Sequence, residues 1–235
     1  MSMLGRSVVL VALATGCMVG GDPSSTDSAQ RSRAKSLLPW TAFQTFNVSQ
    51  GHNTGSHTGF GGWAWDFGMP AGTAVLAAHD GIVRAVKGDS TIGGCSEQYA
   101  QDGNYVIIDQ GTGYESLYLH LRGVVVAAGH KVKRGEVVGY SGETGWACGP
   151  HLHFQIQRSP IGGGSTGWYN ESIHDFFWDS GTASDPAPGT AQSSRNGSGS
   201  SARTDDEPAT PGEVLDYHGG AGEEWDLAMQ AASEP

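Results

Sequence analysis

Through the middle of the chain, apolar and polar positions alternate with a period of two, which a pleated strand sorts onto two faces. The clearest run is His151-Leu152-His153-Phe154-Gln155-Ile156-Gln157. As a strand it sets Leu152, Phe154 and Ile156 against a core and offers His151, His153, Gln155 and Gln157 to a groove. Trp63, Trp65 and Phe67 alternate in the same way, which leaves Asp66 facing away from the aromatics. In the run at 114–120, Tyr114, Ser116, Tyr118 and His120 share a face with Leu117 and Leu119 behind.

Shorter runs predict strands at 43–48, 74–78, 82–86, 104–109, 124–127, 136–140 and 173–178. Asp80-Gly81 is a hairpin signal. Polar loops are expected at 50–62, 87–103 and 141–149, with 158–172 as an inserted surface loop. No stretch reads as a helix of three turns. Many short strands at close spacing mean a mainly β domain built on an antiparallel sheet, with disordered flanks.

Composition divides the 235 residues into unequal parts. The net charge is 13 − 24 = −11, and residues 181–235 hold two Arg against ten Asp or Glu, so 2 − 10 = −8 of it lies there. That segment, rich in Ser, Gly, Pro and Asp, reads as a disordered acidic tail. Residues 37–180 form the expected domain, and 18–36 a linker. No basic stripe suits nucleic acid.

Residues 1–17 read as an export signal: a short positive start, an apolar run over 7–14, then Thr15-Gly16-Cys17. Leu13 to Cys17 is similar to a bacterial lipoprotein cleavage box, with its leucine one place further out. A lipid on Cys17 would tether the protein to a membrane. The expected location is outside a bacterial cytoplasm: periplasmic, lipid-anchored at the envelope, or secreted. Setting Cys17 aside, Cys95 and Cys148 are left either as one disulfide or as two thiols. A bridge would staple the loop around Cys95 to the start of the His-x-His strand.

Asp66 sits between large apolar residues, where a carboxylate is costly unless paired or metal-bound. Two imidazoles and a carboxylate with an open fourth position make a catalytic zinc arrangement. The metal lowers the pKa of a bound water to roughly 7. A free imidazole can then take the proton, and another can hydrogen-bond the developing oxyanion. His57, Asp66 and His153 are candidate ligands for one Zn2+ per chain, with His120 and His151 as candidate helpers. His79 beside the hairpin is expected to be exposed, His130 to be a turn residue, and His174 to be structural or solvent-facing.

Several blocks in order carry a resemblance. They are Trp65-Asp66-Phe67-Gly68-Met69-Pro70-Ala71-Gly72-Thr73, Ala78-His79-Asp80-Gly81, Tyr118-Leu119-His120-Leu121, Gly135-Glu136-Val137-Val138-Gly139, Ser141-Gly142-Glu143-Thr144-Gly145 and Gly149-Pro150-His151-Leu152-His153-Phe154. Over about residues 45–157 the chain resembles the LytM/lysostaphin-type zinc metallopeptidases, family M23. The resemblance implies that family's duplicated hybrid motif-like β fold. It implies Asp66 and His153 as zinc ligands, and His120 and His151 as uncoordinated catalytic histidines. The family's remaining ligand lies four residues before the Asp, where this chain has Gly62. A longer loop would deliver His57 instead, with His52 as second choice. The implied activity is hydrolysis of peptide cross-links or stem peptides in peptidoglycan, by a monomer. The competing reading is a non-catalytic LytM-type scaffold that activates cell-wall amidases.

Overall fold

The computed structural model describes residues 35–111, 113–160 and 167–197. The expectations for the export signal, the lipid on Cys17, most of the linker and the tail beyond 197 lie outside the described residues.

Thirteen strands are described, and all but one pairing between them is antiparallel. The first six are β1 (Thr45–Gln50), β2 (Trp65–Gly68), β3 (Ala74–Leu76), β4 (Gly81–Lys87), β5 (Gly93–Gly94) and β6 (Tyr105–Asp109). Then come β7 (Tyr114–Leu119), β8 (Leu121–Val124), β9 (Lys131–Val132), β10 (Val137–Ser141), β11 (Gly145–Trp146), β12 (Leu152–Arg158) and β13 (Ala191–Ser193). Two 3-10 segments are described, Gly59–Gly61 and Glu97–Asp102. Among the described residues no helix is long and apolar enough to cross a membrane. The fold is mainly β and antiparallel, as the alternation predicts.

One sheet runs β13-β1-β2-β12-β7-β6-β4-β9, and a second runs β3-β10-β8. The core lies between them. Trp65, Phe67, Tyr118, Leu152 and Phe154 of the large sheet meet Val75, Leu121 and Val138 of the small one, with Trp40 and Phe177 closing one side. Fully burying each such side chain is worth roughly 1.5–3 kcal/mol. This packing fixes which face of β2 and β12 is left for Asp66 and His153.

The strand layout departs from the sequence reading in several places, among them the strand expected at 124–127, which lies at Leu121–Val124. Pairing continues past residue 180: β13 runs antiparallel to β1, with Thr45 opposite Ser193, and the Trp65 indole donates to the Pro186 carbonyl at 3.1 Å. The ladder is carried by backbone groups, which a Ser/Ala/Pro composition does not disfavour enough to prevent pairing. Residues 173–178 form single bridges rather than a strand, because buried Phe177 anchors them to the core while only Phe177 pairs, with Ser36 and Ser184. Trp63 does not continue the core alternation of β2. It is 37% exposed, and its amide is taken by the Ser172 hydroxyl.

Candidate metal centre

Asp66 of β2 lies directly opposite His153 of β12 in the ladder, so the alternation that buries Trp65 and Phe154 brings carboxylate and imidazole together on the other face. His57 arrives from the loop between β1 and β2. Asp66 Oδ1 is 3.1 Å from His57 Nε2 and 3.0 Å from His153 Nδ1, and these three donor atoms lie within 4.8 Å of one another. His151 Nε2 stands 3.8 Å from the same oxygen. The His120 ring is centred 4.6 Å from that of His151 and 5.8 Å from that of His153. All five predicted residues are thus brought together.

Each of the four imidazoles has one nitrogen committed elsewhere. Nδ1 of His57 donates to the Gly51 carbonyl at 3.0 Å, Nδ1 of His120 to Thr144 at 2.7 Å, and Nδ1 of His151 to Gly149 at 2.8 Å. A carbonyl only accepts, so in the neutral rings the proton is on Nδ1 and Nε2 carries the lone pair. His153 is reversed. Its Nε2 meets Gln155 Oε1 at 3.1 Å, and the amide is held in that sense because Gln155 Nε2 donates to the Asn170 carbonyl at 3.2 Å. The lone pair of His153 is therefore on Nδ1, towards Asp66.

Two imidazole lone pairs and a carboxylate converge with no proton between them. Without a cation, each ring would need a second proton to bond Asp66. Burial opposes that at His153, pushing its pKa down despite the pull of Asp66. The donor set fits Zn2+, which takes nitrogen and carboxylate oxygen together. His120 is pushed down to about 3, first by burial and then by His151 and His153, so it is neutral at neutral pH. Its φ of 67° puts a non-glycine residue in the left-handed region, a cost that clusters at functional sites.

The polar face of β12 is not an open groove, contrary to its sequence reading. Gln155 and Gln157 are 0% exposed. Gln155 donates to Gln157 at 2.6 Å, Gln157 to Glu115 at 2.7 Å, and Arg84 grips both Glu115 oxygens at 2.6 and 2.8 Å. Residues 168–170 cover this chain of contacts: Gln157 also donates to the Trp168 carbonyl at 3.0 Å, and the Asn170 amide to Glu115 at 3.2 Å. Tyr169 from the same cover lies 6.0 Å from the His153 ring. Burial, and then the charge on Asp66, push its phenol up to about 12, so it stays a donor. The sequence reading set Gln155 on the face of His153 without a role, and it missed Asn170 and Tyr169. Their only signal was Trp168-Tyr169-Asn170 standing after a Gly/Ser run.

His79 is not exposed. It is 1% exposed and bonded through Nε2 to Ser116 Oγ at 2.8 Å. His52 is not beside Asp66 either; its Nε2 bonds Asp185 Oδ1 at 2.9 Å. Cys95 and Cys148 meet, their Cα atoms 4.3 Å apart. Parallel pairing of β5 with β11 brings the two segments together.

The family model described as Peptidase family M23 matches residues 61–166. The chain is 43% identical over 91 residues to the peptidoglycan DD-endopeptidase ShyA of Vibrio cholerae, covering 39% of this chain and 19% of that protein. It is 38% identical over 112 residues to the DD-carboxypeptidase/endopeptidase Mpg of Neisseria meningitidis, covering 47% of this chain and 22% of that one. The chain spans about a fifth of the length of these curated relatives. Among solved structures, a zinc containing peptidase from Vibrio cholerae is 33% identical, over 53% of this chain and 36% of that one, with a TM-score of 0.37.

Proposed function

We propose that the chain, whose residues 61–166 match the model of peptidase family M23, is an exported zinc endopeptidase of that family that hydrolyses peptide bonds in the cross-links or stem peptides of peptidoglycan. The observation that carries this reading is the convergence of His57 Nε2, His153 Nδ1 and Asp66 Oδ1 on one point. These three residues would hold the ion. Zinc in that position supplies Lewis acidity, which makes water a nucleophile at neutral pH.

The remaining residues handle protons and charge. His120 keeps its Nε2 lone pair at neutral pH, and is the group placed to accept the proton of the attacking water and pass it to the leaving amine. The Tyr169 hydroxyl is the donor on hand for the developing oxyanion, and His151 Nε2, 3.8 Å from Asp66, is a second proton acceptor beside His120. The names of the curated relatives supply the substrate class. A non-catalytic scaffold would have no use for four imidazoles whose tautomers are each set by a hydrogen bond.

The test is digestion of purified peptidoglycan by the full chain beside Asp66→Asn and His120→Ala, with zinc content measured in each. The expected result is digestion by the wild type alone, with zinc lost in Asp66→Asn and kept in His120→Ala. Digestion that survives Asp66→Asn overturns the reading.

A further inference from the structure

A second His/His/Asp group lies outside the centre just described. His52 Nε2 is 2.9 Å from Asp185 Oδ1, His174 Nε2 is 2.9 Å from Asp185 Oδ2, and the donor atoms lie within 4.8 Å of one another. We propose that His52, His174 and Asp185 form a second metal site, selective for Zn2+ and similar transition ions, that clamps the loop carrying His57 to the segment after residue 180.

Three observations carry this. First, the rings are set in place. His52 stands edge-on to Trp65 at 4.4 Å and to Trp63 at 5.2 Å, while His174 lies against Trp63 at 4.6 Å and Phe176 at 4.7 Å. Second, Asp185 is not on a swinging loop. On one side Ser184 pairs with Phe177, and on the other the Pro186 carbonyl accepts from the Trp65 indole and the Gly189 amide donates to Val48 at 2.8 Å. Donors held on rigid supports keep their spacing. A tetrahedral zinc with ligands at 2.0–2.1 Å needs them about 3.4 Å apart, a shift of about half an ångström from the 2.9 Å seen.

Third, the His52 tautomer favours a cation. Its Nδ1 is buried without a full hydrogen bond, and the group it meets is the Ala64 backbone, placed as an acceptor. A proton on Nε2, as simple pairing with Asp185 requires, would turn a bare Nδ1 lone pair towards that carbonyl oxygen. A proton on Nδ1 turns a donor towards that carbonyl and leaves the Nε2 lone pair facing a carboxylate, an arrangement that a cation between them completes. His52 also follows Gly51, whose carbonyl orients His57. At Gly51 the chain passes so close to Pro188 that a Cβ would stand 2.7 Å from the proline ring. A metal on His52 and Asp185 would lock that crossing from both sides, and with it the peptide that fixes the His57 ring.

The experiment equilibrates the full chain with Zn2+, removes free metal and counts bound zinc in the wild type, Asp66→Asn, Asp185→Asn and the double variant. The expected counts are two, one, one and none. Asp185→Asn keeps the size of the side chain and one acceptor, and His174→Asn repeats the measurement from the other ligand. In the Asp66→Asn background, Zn2+ at about a hundred times its Kd raises Tm by about 5–10 °C, and Asp185→Asn removes that rise. Equal zinc counts and equal Tm responses with and without Asp185→Asn overturn the proposal. A single zinc lost in Asp185→Asn but kept in Asp66→Asn leaves this site standing and removes the inner one.

Discussion

Gln155 decides which nitrogen of His153 faces Asp66. Its amide oxygen accepts from His153 Nε2 at 3.1 Å, and its amide nitrogen is spent on Gln157 and the Asn170 carbonyl, so it cannot turn over. The chain of contacts ends at Glu115, which is gripped by Arg84. Gln155→Leu removes the acceptor and frees the ring. Loss of such an orienting partner typically costs 10–100-fold in metal affinity. The check is chelator competition in the Asp185→Asn background, where only the inner group is read, with Tm confirming that the fold survives.

His57 and His52 are both imidazoles of the same loop, and they predict opposite results. His57→Ala loses the inner zinc and, as loss of a ligand, lowers peptidoglycan digestion by more than about 100-fold. His52→Ala keeps the inner zinc and loses the outer one. Zinc counting combined with a digestion assay separates them.

His79 makes stability depend on pH. Burial holds its pKa at about 4, below the ordinary 6.5, so between these values the unfolded chain binds the extra proton. Stability is therefore full above pH 6.5 and falls as pH drops through that window, by up to about 3 kcal/mol. His79→Gln removes this term. Urea unfolding at pH 7 and at pH 4.5 is expected to show a larger acid loss for the wild type than for the variant. Equal losses would show that His79 is not what sets it.

Cys95 and Cys148 lie 53 residues apart in sequence and side by side in the fold. If bridged, the pair closes a loop whose release on reduction costs about 4 kcal/mol by chain entropy. In a Cys17→Ser chain, thiol titration under denaturing conditions without reductant is expected to find no free thiol. Dithiothreitol is expected to lower the urea midpoint. Two titratable thiols would end this expectation.

The sequence by itself determined the faces. A period of two is a local property, so the opposition of Asp66 to Trp65 and Phe67, and of His153 to Phe154, could be read from neighbours alone. The antiparallel β class followed from the same runs. Whether a polar face is wet is not local. Gln155 and Gln157 read as groove residues, and only the return of 168–170 across them makes them a buried support. The pairing of β13 with β1 rests on backbone groups, which every residue carries, so Ala191-Gln192-Ser193 gave no sign of it. His57 comes from a loop whose path depends on the Gly51 crossing at Pro188, 137 positions away. His52 is likewise far in the chain from His174 and Asp185. Chemistry assembled from distant segments is decided by packing, and packing depends on the whole chain at once.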